Sequence, residues 1–121
     1  MKFYPKRGEV WWVEFDPQVG EEIKKIRPAI ILNTEDTAFL PTRYVVPLRD
    51  FKDTHSDIYY FFPIDPNRMN GLKKLSSADC SQCKSVSLKR FSTQLGKISL
   101  QEIDEIANTV GMIIGCNLTV I

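Results

Sequence analysis

The segment Pro28-Ala29-Ile30-Ile31-Leu32 constrains the fold most. It is nearly all apolar, and its length and β-branched residues fit a strand buried on both faces. Pro28 at its first position would cost no interior ladder bond. Just before it, Gly20 to Arg27 packs two acids and three bases into eight residues. A charged loop anchored to a buried strand is a favourable place for a site, because the scaffold fixes where its side chains point.

Other runs have the same strand character. Glu9-Val10-Trp11-Trp12-Val13-Glu14-Phe15 alternates, with Trp11, Val13 and Phe15 on one face and Val10, Trp12 and Glu14 on the other. Asp16-Pro17 ends it. Arg43 to Leu48 and Asp57 to Ile64 are expected as a third and fourth strand, with weaker strands at Ser76 to Ser81 and Lys84 to Leu88. The period then changes. Leu100, Ile103, Ile106, Ala107, Val110, Ile113 and Ile114 recur at three- and four-residue steps, as on one helix face. Ser99 with Glu102 forms a capping box, and Gly115 is the expected stop. Short strands followed by one helix predict a mainly β domain, a small barrel with an end helix rather than a βαβ fold.

The 121 residues suit a single domain spanning 1–121 with one core. Sixteen Lys and Arg against fifteen Asp and Glu leave a formal charge of +1, so a polyanion would have to be met by local clustering. No apolar run spans a bilayer, and Met1 to Gly8 lacks the apolar stretch of a secretory signal, so the cytoplasm is the expected location and no membrane partner is expected. Three cysteines make no disulfide framework. The pair in Cys80-Ser81-Gln82-Cys83 lacks the second pair or histidines that zinc requires, so incidental thiols are expected and no metal or other cofactor.

On the residues alone, Arg27 beside a strand start suits bidentate phosphate binding. Glu22 is a candidate general base or an orienter of Arg27. The bland alternative is a solvated hairpin with weak surface ion pairs. Lys24, Lys25, Arg27, Arg49, Lys73 and Lys74, with Lys84, Lys89 and Arg90, form a basic groove if they converge and ordinary surface charge if they scatter. Of Trp11, Trp12 and Tyr59 to Phe62, about half are expected in the core, since neighbours on a strand face opposite ways. Any that reach a groove can stack bases.

Arg7 to Pro17, Gly20-Glu21-Glu22 and Arg27 to Leu32 together resemble the start of the MazF/PemK toxin family. Val45-Val46-Pro47-Leu48, Ser81-Gln82-Cys83-Lys84-Ser85-Val86 and Leu95-Gly96-Lys97-Ile98-Ser99 continue the likeness in order along nearly the whole chain. The resemblance implies an SH3-like barrel of CcdB/MazF/PemK type, a homodimer, and a bacterial toxin blocked by a cognate antitoxin. It further implies an endoribonuclease that cuts single-stranded RNA without metal, by 2′-hydroxyl attack leaving a cyclic phosphate and a 5′-hydroxyl. By position, Arg27 matches the family's active-site arginine and Glu22 its loop acid. Lys84 replaces an arginine after Gln82, and both, with Lys24 and Lys25, are expected to touch RNA.

One position departs from the pattern. Where the family usually has Thr or Ser, this chain has Arg49. Arg49 takes the electrostatic role, or another hydroxyl such as Thr54 or Ser56 reaches in, or cleavage is weakened and the protein only binds RNA or an antitoxin. His55, the one histidine, is a possible acid or base near neutral pH, although a lone loop histidine is more often simply exposed. Asp79 is expected on the same strand face as Ser81. A third reading, a toxin on this scaffold that poisons a protein such as gyrase, is disfavoured by the Glu22 and Arg27 pattern.

Overall fold

The computed structural model describes residues 4–15 and 25–116. Among these residues seven strands run β1 (Glu9–Phe15), β2 (Lys25–Ile31), β3 (Thr42–Asp50), β4 (Phe61–Ile64), β5 (Ser76–Asp79), β6 (Lys84–Ser87) and β7 (Phe91–Lys97), followed by helix α1 (Leu100–Ile113). All pairings are antiparallel. The path is β4-β5-β3-β2-β1-β7, with β6 also on β3. Strand β3 is the shared element. Its first half pairs with β6, its middle with β2 and its last three residues with β5.

The alternation of β1 is as expected. Trp11, Val13 and Phe15 join Ala29, Ile31, Val45, Val86 and Phe91 in one cluster. Val10 joins Ile30, Val46, Leu48, Ile64 and Ala78 in another, which α1 covers with Ile103 and Ile106. Strand β2 therefore feeds both cores, Ile30 one way and Ala29 and Ile31 the other. The helix begins as the capping box predicts: Ser99 Oγ accepts from Glu102 N at 3.1 Å and Glu102 Oε1 from Ser99 N at 2.9 Å. It ends in a Schellman motif, with Cys116 N donating to Gly111 O, Gly115 N to Met112 O, and Gly115 at φ +80°. Leu100 and Ile114 are exposed rather than part of the buried face. No helix among the described residues is long and apolar enough to cross a membrane.

Four expectations are corrected. Strand β2 starts at Lys25, not Pro28, because Phe15 and Glu14 pair with Lys25 and Ile26. Pro28 is tolerated inside the strand. Leu32 N donates to Tyr44 O on β3, so by alternation the N–H that Pro28 lacks would also point toward β3, past the end of that ladder. The fourth strand is shorter than expected: residues Asp53–Asp57 form a 3₁₀ turn, and only Phe61–Ile64 is strand. Strand β5 ends at Asp79, whose Oδ1 accepts from Ser81 N and Oγ, so Asp79 caps a turn instead of sharing a strand face with Ser81. Strand β7 was not foreseen. Ser92, Thr93 and Gln94 are exposed and Gly96 resembles a breaker, because among the described strands β7 pairs only with β1.

Two buried polar anchors complete the frame. Arg43 is 1% exposed, and its guanidinium donates to the carbonyls of Pro5, Ala38, Leu40 and Thr42. Asn70, fully buried, accepts from Asn67 N and Leu72 N and donates to Asp65 O. This turn lies directly on β7. A Cβ on Gly96 would stand 2.2 Å from Met69 O, and one on Gly71 2.1 Å from Leu95 O.

Burial pushes the Cys80 thiol up to about 12, aided by the charge of Asp79 and then by Cys83. Burial also raises the Cys83 thiol.

Gly96→Ala is expected to destabilise by about 1–3 kcal/mol in urea unfolding, since backbone must move. Gly111→Ala, whose new Cβ would meet only Cys116 Cβ at 3.6 Å, should instead stabilise by up to about 1 kcal/mol. The Cys80 thiol ionises near 9.0 when unfolded and near 12 when folded, so stability should hold below about pH 9 and fall as pH rises toward 12. Cys80→Ala should remove that share of the alkaline slope. At pH 8 a thiol reagent should label exposed Cys116 well before Cys80.

Candidate functional site

The β2–β3 ladder stops at the pair Ala29↔Pro47. Beyond it β3 turns to β5 while β2 stays with β1, and the two strands part. A cleft of about 670 Å³ opens there. One wall is Lys25 to Pro28 and the other Leu48, Arg49, Asp50 and Lys52. Trp12, Leu72 and Leu95 contribute apolar surface, and Gly71, Lys73 and Lys74 border it beside Leu95. Register explains the key juxtaposition. Continuing the pairing two residues past Ala29↔Pro47 sets Arg27 opposite Arg49, so both belong to the same sheet face at the point where the strands separate.

Six cations border the cleft: Lys25, Arg27, Arg49, Lys52, Lys73 and Lys74. The acid Asp50 is already held by Lys74 at 3.0 Å. A chain with formal charge +1 therefore presents a locally basic hollow with apolar surface. Such a hollow suits a polyanion that also carries flat apolar groups. Trp12 is half-buried and lines it, whereas Trp11 is buried edge-on to Phe91, with Nε1 donating to Glu9.

The other candidates fall elsewhere. Glu22 and Lys24 lie outside the described residues. Lys84 stands over the Phe15 ring at 5.4 Å, Arg90 faces Glu14 at 3.6 Å, and neither they nor Gln82 and Lys89 line the cleft. Thr54 and Ser56 are exposed on the 3₁₀ turn and do not line it either. His55 is not the exposed loop residue expected. It is 5% exposed, stacks on Phe61 at 3.9 Å, and its Nδ1 lies 2.7 Å from Ser77 Oγ and 3.2 Å from Lys52 N.

Arg49 has a partner that sequence reasoning did not assign. Its Nη1 lies 3.6 Å from Asp79 Oδ2, and its Cζ lies 6.0 Å from the Phe61 ring centre. From the sequence, Asp79 was placed only on the same strand face as Ser81. Lys52 was also missed; nothing in the local pattern sets it apart from other surface lysines. Among the described residues no group of three His, Cys, Asp or Glu is placed to hold a metal ion.

Comparison with known proteins bears on the fold and the family. Endoribonuclease MazF9 of Mycobacterium tuberculosis is 25% identical over 104 residues, covering 84% of this chain and 88% of that protein. The crystal structure of MazF from Deinococcus radiodurans superposes with a TM-score of 0.73 at 20% identity, covering 94% of this chain and 99% of that one. A MazE–MazF structure from the same organism gives 0.72 at 19% identity over 96% and 100%. The Mycobacterium tuberculosis toxin MazF-mt6 gives 0.71 at 19% identity over 90% and 98%. The fold is thus that of MazF toxins, a mostly antiparallel sheet with a C-terminal helix. Residues 6–114 match the family described as PemK-like, MazF-like toxin of type II toxin–antitoxin systems, and the chain belongs to that family.

Proposed function

We propose that the protein is the toxin of a toxin–antitoxin pair and a metal-independent endoribonuclease acting on single-stranded RNA at the cleft between β2 and β3. The observation that carries this reading is the convergence of Arg27, Arg49 and four lysines on one hollow that also contains Trp12. Phosphodiester groups satisfy the cations, and an unstacked base satisfies the aromatic surface. Endoribonuclease MazF9 is a relative over most of the chain, which supports the reaction class.

In the reaction, the 2′-oxygen attacks the adjacent phosphorus as its proton leaves to a base. The P–O5′ bond then breaks, and the 5′-oxygen gains a proton. The products are a 2′,3′-cyclic phosphate and a 5′-hydroxyl. Charge accumulates on the non-bridging oxygens, which is where fixed guanidinium groups lower the barrier. Arg27 and Arg49 take that role. Glu22, the loop acid that the resemblance assigns, is the proposed proton acceptor. Arginine is too basic to relay protons, so Arg49 contributes charge alone.

A cognate antitoxin would occupy the same cationic cleft with an acidic segment; that a cognate partner exists is supported by the MazE–MazF structure of the Deinococcus relative. The toxin is proposed to work as a homodimer in the cytoplasm. A second reading, a toxin-like protein that binds RNA or antitoxin but cuts weakly, is favoured by one observation: Arg49 stands where the family usually carries a hydroxyl.

Purified protein should cut a diverse single-stranded RNA pool in the presence of EDTA, and Arg27→Ala should lower the rate at least about 100-fold. An intact RNA pool after incubation with the wild type would sink the catalytic claim. Arg49→Thr separates the two readings. A loss of cutting makes Arg49 part of the machinery, and a gain identifies the natural protein as a weakened enzyme.

A further inference from the structure

We propose that Asp79 and the Phe61–His55 stack are positioning residues that hold Arg49 as a fixed cation at the mouth of the cleft, opposite Arg27. This deepens the reading of the cleft as an RNA-phosphate site and rests on it.

The argument starts from register. Arg49 pairs with Ser77 across β3 and β5, and Phe61 pairs with Asp79 across β4 and β5. Ser77 and Asp79 are two apart on β5. The four side chains therefore share one sheet face, with Asp79 diagonal to Arg49. The contacts follow that layout. Asp79 is 4% exposed, and its Oδ1 is used by Ser81 N at 3.2 Å and Ser81 Oγ at 2.5 Å. Its Oδ2 faces Arg49 Nη1 at 3.6 Å. A carboxylate so deeply buried needs a cation and hydrogen bonds to offset its lost hydration. Asp79 thus depends on Arg49 as its charge partner, and the contact in turn sets where the guanidinium sits.

The second support is aromatic. The Arg49 guanidinium carbon is 6.0 Å from the Phe61 ring centre, within cation–π range. Phe61 is itself fixed. It lies nearly parallel to His55, with centroids 3.9 Å apart and an interplanar angle of 18°. The His55 ring is locked in turn. Its Nδ1 lies 3.2 Å from Lys52 N and 2.7 Å from the Oγ of the fully buried Ser77, so two neighbours fix the edge of the ring. Phe51 closes the far side edge-on at 5.8 Å. The order of support runs from Ser77 to His55 to Phe61 to Arg49, with Asp79 as the charged stop.

The Arg49 side chain nevertheless stays 41% exposed and lines the cleft. Its contact with Asp79 uses Nη1, and among the described residues no acceptor takes the remaining donors of the guanidinium fork, which suit a phosphate. A long, flexible side chain substituted for a short hydroxyl would ordinarily be a poor catalytic group. Here charge and stacking remove that flexibility in advance.

The test compares wild type with Asp79→Asn, Phe61→Leu and Asp79→Glu. Asn keeps the acceptor for Ser81 and removes only the charge. Thermal unfolding of each variant gives its folded fraction. Three signals are read: the Arg49 Nε–Hε resonance, cleavage of an RNA oligonucleotide, and binding of the uncleavable 2′-deoxy oligonucleotide. In the wild type the Arg49 signal should be dispersed and exchange slowly with water. In Asp79→Asn and Phe61→Leu it should move to the position of a solvated arginine while Arg27 stays unchanged. With folded fraction accounted for, kcat should fall about 10- to 100-fold with affinity for the deoxy strand changed less than about threefold. Asp79→Glu should recover part of the loss. Wild-type kcat with an unmoved Arg49 signal in both Asp79→Asn and Phe61→Leu would overturn the proposal, as would a loss that only tracks the folded fraction. If the wild type cuts no RNA, the reading of function fails separately, and the Arg49 resonance still decides the positioning claim.

Discussion

The site depends on one missing hydrogen-bond donor. Pro28 on β2 has no backbone N–H, and it lies where the ladder to β3 would have to continue. The last pair is Ala29↔Pro47, and the next would have joined Pro28 to Leu48. Without that donor the strands gain less by staying together, and each keeps its other neighbour, β1 for β2 and β5 for β3. The parting of the two strands is the cleft. Arg27 precedes one proline and Arg49 follows the other by two residues, which sets them on the same face at its mouth.

The rest of the fold serves that opening. Two apolar clusters on opposite faces of the sheet hold β1, β2 and β3 from both sides, so the divergence stays local and the strands remain rigid up to the last pair. Helix α1 seals one cluster and leaves the cleft uncovered. The turn at residues 67–72, tied by Asn70, brings Gly71, Leu72, Lys73 and Lys74 to the border. A basic hollow is thus assembled from β2, the end of β3 and a distant turn, on a chain whose formal charge is only +1.

What was legible in the sequence was periodic or capped. Strand β1 and the start of α1 followed from alternation and from Ser99 with Glu102, because those signals act over a few residues. The double-sided burial of β2 was legible from five apolar residues in a row. Strand β7 was not, since a strand paired to one neighbour needs few apolar residues, and its Gly96 is present for close approach rather than as a breaker. In the site, Arg27 and Arg49 were singled out as candidates, and both line the cleft. The partners of Arg49 were not legible. Asp79, Phe61, His55 and Ser77 meet only through cross-strand register among β3, β4 and β5, and no local pattern encodes that. His55 was misjudged for the same reason: a histidine in a polar stretch looks exposed until its stacking partner from another strand is known.

The reciprocal contact between Gly71 and Gly96 has an evolutionary corollary. Each alpha carbon sits where the other's neighbour allows no side chain, so neither position can drift unless the turn and β7 separate together. In this chain the far border of the hollow is therefore neither widened nor narrowed by a substitution at these two places without a shift of backbone. The exposed side chains of Lys73 and Lys74 can be exchanged without moving that backbone, Lys74 at the cost of its contact with Asp50. The backbone of that border is a fixed template, and its charge is the adjustable part.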